Sequence, residues 1–373
     1  MTMRMISPIL ALLVLLGWTI WNIGLDVPTH PEDYPRLAIY STSQTLNEKV
    51  VPKYARFDMV VVDYENWTNN PESIQMLRQM NKKMWILAYG NPIEVYYKPI
   101  SKRPLNLQLS LMMEKDKYQG WWLMTDKGEH AVFYTPLPYW MMNMTTLAPK
   151  IDGQRWNQYI AHFYIDHALK MNPRPDGFFG DNASDNFHWL NNHTLKSRKL
   201  GFLDANLDGL PDEQARFDPA WREGMEEFYS IIRAEMGDDF LILGNKGNME
   251  LMNVLDGKMF EEFPFAYGGP DKRAGGWYQC MDSYLQMGNN AIVQVKNHFD
   301  KQHLIFVLTS TLLGDGYFAV GHNYSSWLPE FNSIGKPLGP YSIDNANDIW
   351  SREFEKATVR VYPEKRRGEI IYK

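Results

Sequence analysis

Cysteine is nearly absent from this chain, since Cys280 is the single one among 373 residues. One cysteine excludes an intrachain disulfide and any metal site built from several thiolates. The chain also lacks a G-x-G-x-x-G sequence, a Walker loop and a G-x-S-x-G elbow. The sequence therefore gives no support for nucleotide chemistry or for a Ser-His-Asp site.

Positive charge is not in excess either. Asp and Glu number 44 against 38 Lys and Arg, which gives a formal net charge of -6. Without a basic stripe to neutralise phosphates, we expect no nucleic-acid partner, and no motif points to an organic cofactor. Aromatic residues make up 14% of the chain, with 13 Trp and 21 Tyr. That abundance fits either a large core or a surface on which sugars stack.

The N-terminus contains the longest apolar run, Ile6 to Ile23, which approaches the length of a membrane span. A cleaved signal peptide is the rival interpretation, but Trp18 and Trp21 stand where small residues should precede a cleavage site. We therefore predict that residues 1–25 are an uncleaved transmembrane anchor.

The charges around this run set its orientation. Arg4 precedes it and acidic residues follow, so the positive-inside rule places the body of the protein on the periplasmic or extracellular face of the membrane. Residues 26–35, which contain three prolines, are predicted to be a linker.

Strand and helix patterns then alternate, which predicts an α/β fold with a parallel sheet. Eight candidate strands suit a (β/α)8 TIM barrel over residues 36–345, followed by a small C-terminal β-extension over 346–373. Two connections, about 91–154 and 183–217, are much longer than usual and predict long βα loops above the barrel. The candidate strands are Leu37–Ser41, Met59–Asp63, Met84–Tyr89, Gly177–Gly180, Phe240–Gly244, Lys258–Glu261, Ala291–Val295 and Tyr317–Val320.

Carboxylates end two of these strands. Asp181 follows the apolar run Gly177 to Phe179, and Glu261 closes the run that contains Met259 and Phe260. The active sites of such barrels lie at the carboxyl ends of the strands. A pair of carboxylates flanking one bond suggests glycoside hydrolysis, whereas the alternative is two solvated charges at the barrel rim.

Several motifs together resemble the hypothetical glycoside hydrolase-like barrels. These are relatives of the α-amylase and α-galactosidase barrels and of endo-α-1,4-polygalactosaminidase. The resemblance implies that Asp181 matches the catalytic carboxylate after strand four and Glu261 the one after strand six. Asp181 would be the nucleophile or general base, and Glu261 the general acid. The motifs are Asp176-Gly-Phe-Phe-Gly-Asp-Asn182, Asp256-Gly-Lys-Met-Phe-Glu261, Gly314-Asp-Gly-Tyr-Phe-Ala319 and the stretch from Trp350 to Val361.

Further polar residues near strand ends are predicted to hydrogen-bond a glycan, because such groups cluster where a ligand binds. Asp185 has an alternative as a metal ligand or as an ordinary helix-start residue. The predicted substrate-binding residues are Asp63, Tyr89, Asn182, Asp185, Asn245, His298 and Asp315. The candidate platforms for sugar stacking, with core packing as the alternative, are Trp67, Trp121, Trp122, Trp189 and Trp327.

The segment from Asp204 to Asp212 predicts a structural calcium site. Oxygen ligands at alternate positions with a glycine at the sixth match the first half of a calcium loop. Ala215 stands where a complete EF-hand has glutamate, and an Asx-rich turn is the alternative. The expected ligands are Asp204, Asn206, Asp208, Leu210 and Asp212.

The sequence thus predicts a membrane-anchored hydrolase of O-glycosidic bonds in a polysaccharide. Fold alone does not determine function, so two other classes stay open. One is a non-catalytic barrel that stabilises the periplasmic face of a respiratory or photosynthetic membrane complex. The other is a barrel that binds glycan without cleaving it.

Overall fold

Eight parallel strands form a closed barrel in this protein, whose structure is a computed structural model. The structure describes residues 28–43, 46–98, 102–133, 138–265, 272–295, 300–321 and 327–373. Each strand pairs with the next along the chain, and the eighth pairs with the first. The predicted (β/α)8 barrel is confirmed, with every strand within one residue of its expected bounds. The strands, β1 to β8, are Leu37–Ser41, Met59–Asp63, Trp85–Gly90, Gly177–Gly180, Leu241–Asn245, Gly257–Phe260, Ile292–Val295 and Tyr317–Gly321.

Side chains inside the barrel change character toward the carboxyl ends of the strands. Alternate residues of a strand face the interior, and the lower inward positions form one apolar cluster. Its buried members are Ala38, Met59, Val61, Trp85, Leu87, Phe179, Leu241, Leu243, Met259, Ile292, Tyr317 and Ala319. Two residues further along the first seven strands, the inward positions are polar: Tyr40, Asp63, Tyr89, Asp181, Asn245, Glu261 and Gln294. A polar ring therefore lies above an apolar interior.

Helices surround the barrel and bury their apolar faces against it. Apolar residues three to four positions apart, Trp221, Met225, Phe228 and Ile232, share one face of a helix and are all buried. The longer helices, α1 to α6, are Pro71–Met80, Pro104–Met113, Trp156–Tyr164, Gln214–Met236, Trp277–Met287 and Lys301–Leu312. Shorter helical segments are Val51–Tyr54, Asn66–Asn69, Asp116–Trp121, Ile165–Leu169, His188–Asn192, Thr194–Arg198, Arg273–Gly275, Gly288–Asn290 and Pro329–Phe331.

Two glycines allow tyrosine rings to pack directly on the strands. A Cβ at Gly180 would lie 2.3 Å from the Tyr229 hydroxyl, and one at Gly90 would lie 2.8 Å from the Tyr164 ring. Both distances are well inside van der Waals contact, so glycine is required at the ends of β3 and β4. The close approach fixes the helices against the strands that reach the polar ring.

The long loops after β3 and β4 are joined to each other above the barrel. The short strand Met124–Thr125 of the first pairs antiparallel with Leu203–Asp204 of the second. Within the first loop, Glu94–Tyr96 pairs with Tyr139–Met141. These pairings hold the loops together as one cover, which places their side chains over the carboxyl ends of the strands.

Glu65 attaches this cover to β2. Its side chain is fully buried, yet its oxygens accept hydrogen bonds from the backbone N–H groups of Leu105 at 3.1 Å and Asn106 at 2.8 Å. These are otherwise unpaired donors in the first turn of α2. The positive end of the helix dipole stabilises the carboxylate as well. The buried Glu65 carboxylate therefore holds the first turn of α2 close to the end of β2.

The opposite, amino-terminal end of the barrel is closed by residues 28–35, which were expected to be a linker. His30 Nδ1 lies 2.8 Å from the Tyr317 hydroxyl, and the Tyr34 side chain is 3% exposed. Burial, together with the nearby positive charge of Arg36, lowers the pKa of His30 to about 4. The imidazole is therefore neutral, as an apolar barrel floor requires.

Asp315 belongs to this closed end, so its predicted place on the rim with the substrate-binding residues is wrong. It precedes β8 instead of following it. Its carboxylate accepts hydrogen bonds from the Tyr34 hydroxyl at 2.9 Å and from Arg352 at 2.8 Å. The glycine-rich motif around it misled the prediction because a turn before a strand and one after it look alike in sequence.

A four-stranded antiparallel sheet follows the barrel. Three of its strands lie within the predicted C-terminal β-extension, residues 346–373, and the first strand precedes it. A Cβ at Gly368 would lie 1.8 Å from Thr309 Oγ1, which shows how closely the sheet packs on α6. The strands, β9 to β12, are Ser342–Asp344, Ile349–Glu353, Ala357–Tyr362 and Arg367–Tyr372.

The predicted membrane anchor, residues 1–25, lies outside the described residues. Within the described ranges, no helix combines the length and the apolar character that a membrane crossing requires.

We expect Glu65→Gln to lower the free energy of unfolding by about 2 kcal/mol, because it removes a charge-assisted bond and turns an amide N–H toward a backbone N–H. Urea denaturation of the purified protein measures the change. Glu72→Gln is the matched control, since Glu72 is exposed in the first turn of α1. Equal effects of the two substitutions would contradict the anchoring role of Glu65.

Candidate active site

A cavity of about 1060 Å³ opens at the carboxyl ends of the strands. Five residues of the polar ring form its floor, and its walls come from the two long loops and from the loop after β5. Of the predicted site residues, Asp63, Tyr89, Asn182 and Asn245 line it together with Asp181 and Glu261. The structure therefore brings six of the predicted catalytic and substrate-binding residues to one place.

The side chain of Asn245 lies between the two carboxylates. Its Nδ2 donates to Asp181 Oδ1 at 2.9 Å and to Glu261 Oε2 at 3.0 Å. These two oxygens are therefore separated by at most the sum of those distances, 5.9 Å. Two carboxylates held this close across a cavity can act on the same bond.

Asp181 is held in one orientation by further donors. The Tyr89 hydroxyl donates to Oδ2 at 2.6 Å, and the backbone N–H of Asn182 donates to Oδ1 at 2.8 Å. Burial raises the pKa of Tyr89 well above its ordinary value, and the negative charge of Asp181 raises it further. Tyr89 therefore remains protonated and keeps donating this bond.

The chain turns sharply after each of these three strands. Asn182, Lys246 and Glu262 have φ angles of 53°, 84° and 55°. Left-handed backbone is uncommon for residues other than glycine and is enriched at functional sites. The turns stop β4, β5 and β6 at the same level, which leaves Asp181, Asn245 and Glu261 side by side.

Ion pairs line two walls of the cavity. Arg103, just before α2, lies 3.4 Å from Asp63, while Lys246 lies 2.8 Å from Glu250. The sequence offered little to distinguish Arg103 and Glu250 from surface charges, because both stand in loops. Only the folding of those loops over the barrel brings them to the site.

Two predicted substrate-binding residues do not line the cavity. Asp185 is absent from its lining, since its carboxylate pairs with Arg222 at 2.7 Å. The prediction for Asp185 is therefore corrected. Asp315 lies at the opposite end of the barrel, and His298 lies outside the described residues.

Two inward-facing residues of the polar ring escaped the sequence analysis. Tyr40 is a neighbour of Tyr89, with ring centroids 5.9 Å apart. Gln294 is 3% exposed, and its Oε1 has no hydrogen-bond partner among the described residues. A glutamine within the apolar run Ile292–Val295 was the signal that could have identified the second of these.

Among the five candidate tryptophan platforms, Trp189 alone lines the cavity. Its side chain is 39% exposed, whereas Trp67, Trp121 and Trp122 are at most 2% exposed and belong to the core. Trp327 packs against Arg56 outside the cavity. Core packing was the correct interpretation for the three buried rings.

The predicted calcium loop uses its carboxylates on its own backbone. Asp204 accepts the N–H of Gly209 at 2.8 Å, and Asp212 accepts the N–H of Ala205 at 2.7 Å. Asn206 Oδ1 is buried without a hydrogen-bond partner among the described residues. Within those residues no group of three or more His, Cys, Asp or Glu side chains is arranged to hold a metal. Calcium binding stays a prediction.

A buried lysine supports the turns beside the site. Lys258 on β6 is fully buried, and its Nζ donates to the Ala183 carbonyl at 2.9 Å and to Asn248 Oδ1 at 2.8 Å. Burial lowers the pKa of Lys258 to about 7, against the opposing effect of the Glu250 carboxylate. The two bonds tie the turn after β4 to the turn after β5.

Taken together, a closed eight-stranded parallel barrel and a pair of carboxylates at its carboxyl-terminal mouth define a barrel of the glycoside hydrolase type. The chain belongs to hypothetical glycosyl hydrolase family 15, whose family model matches residues 78–358. No curated protein matches the chain.

Solved structures that match the chain include three carbohydrate-active enzymes. The maltogenic α-amylase AmyB from Thermotoga neapolitana has 8% identity and a TM-score of 0.47, with coverage of 88% of this chain and 86% of that chain. The α-N-acetylgalactosaminidase NagBb from Bifidobacterium bifidum has 8% identity and a TM-score of 0.46, with coverage of 90% and 57%. The isomalto-dextranase from Arthrobacter globiformis T6 has 12% identity and a TM-score of 0.39, with coverage of 78% and 52%. This chain spans little more than half the length of the last two.

Lys258→Met should change stability in a pH-dependent way. The pKa of Lys258 falls from 10.5 to about 7 on folding, so between these values the unfolded chain binds a proton that the folded chain does not. The wild type therefore gains stability from this group as pH rises through that window. We therefore compare the melting temperature of Lys258→Met minus that of the wild type at two pH values. We expect this difference to be larger, in favour of the variant, at pH 6 than at pH 9.

Differential scanning fluorimetry across this pH range measures the difference. Lys83→Met is the control, because Lys83 is exposed and its substitution should shift the melting temperature equally at both pH values. A pH-independent difference for Lys258→Met would refute the burial of a charge at this position.

Proposed function

We propose that this protein is a retaining glycoside hydrolase, with Asp181 as the nucleophile and Glu261 as the acid and base. The observation that carries the proposal is the separation of their bridged oxygens, at most 5.9 Å from the two Asn245 bonds. Retaining enzymes hold their carboxyl groups about 5–5.5 Å apart, whereas inverting enzymes need about 6.5–9.5 Å to admit a water molecule.

The proposed reaction has two steps. Asp181 attacks the anomeric carbon while Glu261 gives its proton to the leaving oxygen, so the glycosidic bond breaks and a glycosyl ester forms. Glu261, now ionised, then removes a proton from water, whose oxygen attacks the anomeric carbon and releases Asp181. Tyr89 and Asn245 keep the attacking carboxylate aimed at the cavity throughout.

The proposed substrate is a polysaccharide or other glycan outside the cytoplasm. Support for a glycan comes from the family and from the cavity, whose polar floor and aromatic wall suit hydroxyls and sugar rings. Support for the location comes from the apolar run Ile6 to Ile23 and the charges that flank it. The anchor would hold the barrel at the membrane surface where such glycans lie.

Asp181→Asn and Glu261→Gln test the proposal. Each keeps the shape of the side chain and removes the ionisable group, so we expect kcat to fall by a factor of about 10² to 10⁴ or more, with little change in melting temperature. The assay measures reducing ends released from starch, dextran, galactan, xylan and chitosan. Proton NMR of the first product should show the same anomeric configuration as the substrate.

Glu114→Gln is the matched control, because Glu114 is exposed and does not line the cavity. Full activity in either site variant would overturn the assignment of that residue. An inverted product would overturn the retaining mechanism alone. No hydrolysis of any glycan by the wild type would overturn the enzyme proposal. A glycan-binding barrel and a subunit of a membrane complex would then be the remaining functions.

We also propose that calcium stabilises the loop Asp204–Asp212. The alternate oxygen side chains and the buried, unpaired Asn206 Oδ1 support this. A ligand that binds only the folded state raises stability, so millimolar calcium should raise the melting temperature above that in chelator. Asp208→Asn should reduce this rise, and Asp238→Asn, an exposed control, should keep it. Identical wild-type melting in calcium and chelator would contradict the proposal.

A further inference from the structure

We propose that Trp189, Lys246 and Glu250 form a binding site for a second, uncharged hexopyranose unit of the substrate. The inference deepens the proposed function and rests on it, since it states how the same cavity holds a glycan longer than one sugar. Nothing in the sequence brings these three residues together, because they stand in the loops after β4 and β5.

Neighbouring aromatic side chains hold the Trp189 ring in place. One face of its ring stacks on Phe187, with centroids 5.8 Å apart and planes inclined by 28°. Phe133 and His193 contact it in edge-on geometry at 5.9 and 5.6 Å. The ring is thus fixed from behind and from its edges, yet it is 39% exposed and lines the cavity.

The exposed part of the Trp189 indole is an apolar surface that is in contact with water. The C–H face of a pyranose ring is an apolar surface of similar size. When this face stacks on the indole, both apolar surfaces are removed from water. A hexopyranose therefore suits the platform, whereas a small ion or a peptide backbone does not.

Lys246 and Glu250 supply the polar part of the site. Glu250 Oε2 accepts from Lys246 Nζ at 2.8 Å and from the Asp185 N–H at 3.2 Å. Its Oε1 takes part in none of these bonds, and a quarter of the carboxylate side chain, 24%, is exposed. An acceptor and an ammonium donor thus stand side by side at the cavity wall.

This pairing selects hydroxyl groups. Each sugar hydroxyl donates one hydrogen bond and accepts others, so two adjacent hydroxyls satisfy a donor and an acceptor placed together. Because Lys246 and Glu250 already neutralise each other, an ionised sugar gains no net attraction from them. The site is therefore expected to favour neutral hexoses over uronic acids.

The two parts of the site belong to one wall, next to the reacting bond. The Ser184 hydroxyl lies 2.6 Å from Lys246 Nζ and donates to the Asn186 carbonyl at 2.9 Å, only three residues before Trp189. Lys246 directly follows Asn245, which bridges the two catalytic carboxylates. A sugar on this wall is thus the neighbour of the sugar at Asp181.

Binding can be measured apart from turnover in the Asp181→Asn background. Affinity electrophoresis in gels that contain starch, dextran or galactan gives a dissociation constant for each polysaccharide from the retardation. We expect Trp189→Ala and Lys246→Met each to weaken binding about tenfold or more, from the loss of stacking and of a charged hydrogen bond. Thermal melting checks that each variant is folded.

Phe202→Ala is the matched control. Phe202 is an aromatic residue of the same loop and is 49% exposed, but it does not line the cavity. Its substitution should leave the dissociation constant unchanged. If Trp189→Ala fails to fold, Lys246→Met alone still decides the outcome.

The outcomes separate this proposal from the proposed function. Hydrolysis by the wild type together with unchanged binding by both variants would overturn the sugar site and leave the enzyme assignment intact. Weakened binding in the variants without hydrolysis by the wild type would support the sugar site and overturn the enzyme assignment. No retardation by any of these polysaccharides, or a stronger effect of Phe202→Ala, would overturn the sugar site.

Discussion

The alternation of side chains along parallel strands is the constraint on which both the core and the site of this protein depend. Phe179, which packs in the barrel interior, and Asp181, which faces the cavity, are two residues apart on the same side of β4. The same relation holds for Leu243 and Asn245. A shift of one residue in a strand would turn the polar group toward the helices and an outward side chain into the interior. Correct packing of the apolar layers therefore positions the carboxylates.

Buried charges then attach the loops that make the cavity walls. Glu65 holds the first turn of α2, and Lys258 holds the turns after β4 and β5. Removing a charge from water is costly unless hydrogen bonds compensate for it. In both cases the compensating groups belong to the loops, so each buried charge is compensated only when those loops lie over the barrel. Stability and the shape of the cavity are coupled for this reason.

The arrangement of Asp181, Asn245 and Glu261 has a further consequence for chemistry. An amide that donates to both carboxylates keeps them apart at a defined distance without neutralising either. The residue that follows each of these three side chains has a left-handed backbone conformation. Local backbone strain is therefore concentrated at the carboxyl ends of β4, β5 and β6. The packing of β4, β5 and β6 compensates for this strain. The side chains at these turns, Asp181, Asn245 and Glu261, all face the cavity. Rigid placement of this kind is what a reaction with two carboxylates requires.

The sequence by itself determined the barrel, because apolar runs of strand length and amphipathic helices depend on local patterns. It also located Asp181 and Glu261, since a carboxylate at the end of a buried strand is a local anomaly. It failed where a contact depends on chain segments far apart. Asp315 was assigned to the wrong end of the barrel because a turn motif does not reveal which end of a strand it adjoins. Arg103 and Glu250 became cavity residues only through the folding of the loops after β3 and β5, whose paths are set by distant partners such as Glu65 and Lys258. Local patterns determine secondary structure and strand-end residues, whereas the walls of the site arise from tertiary contacts that no short stretch of sequence contains.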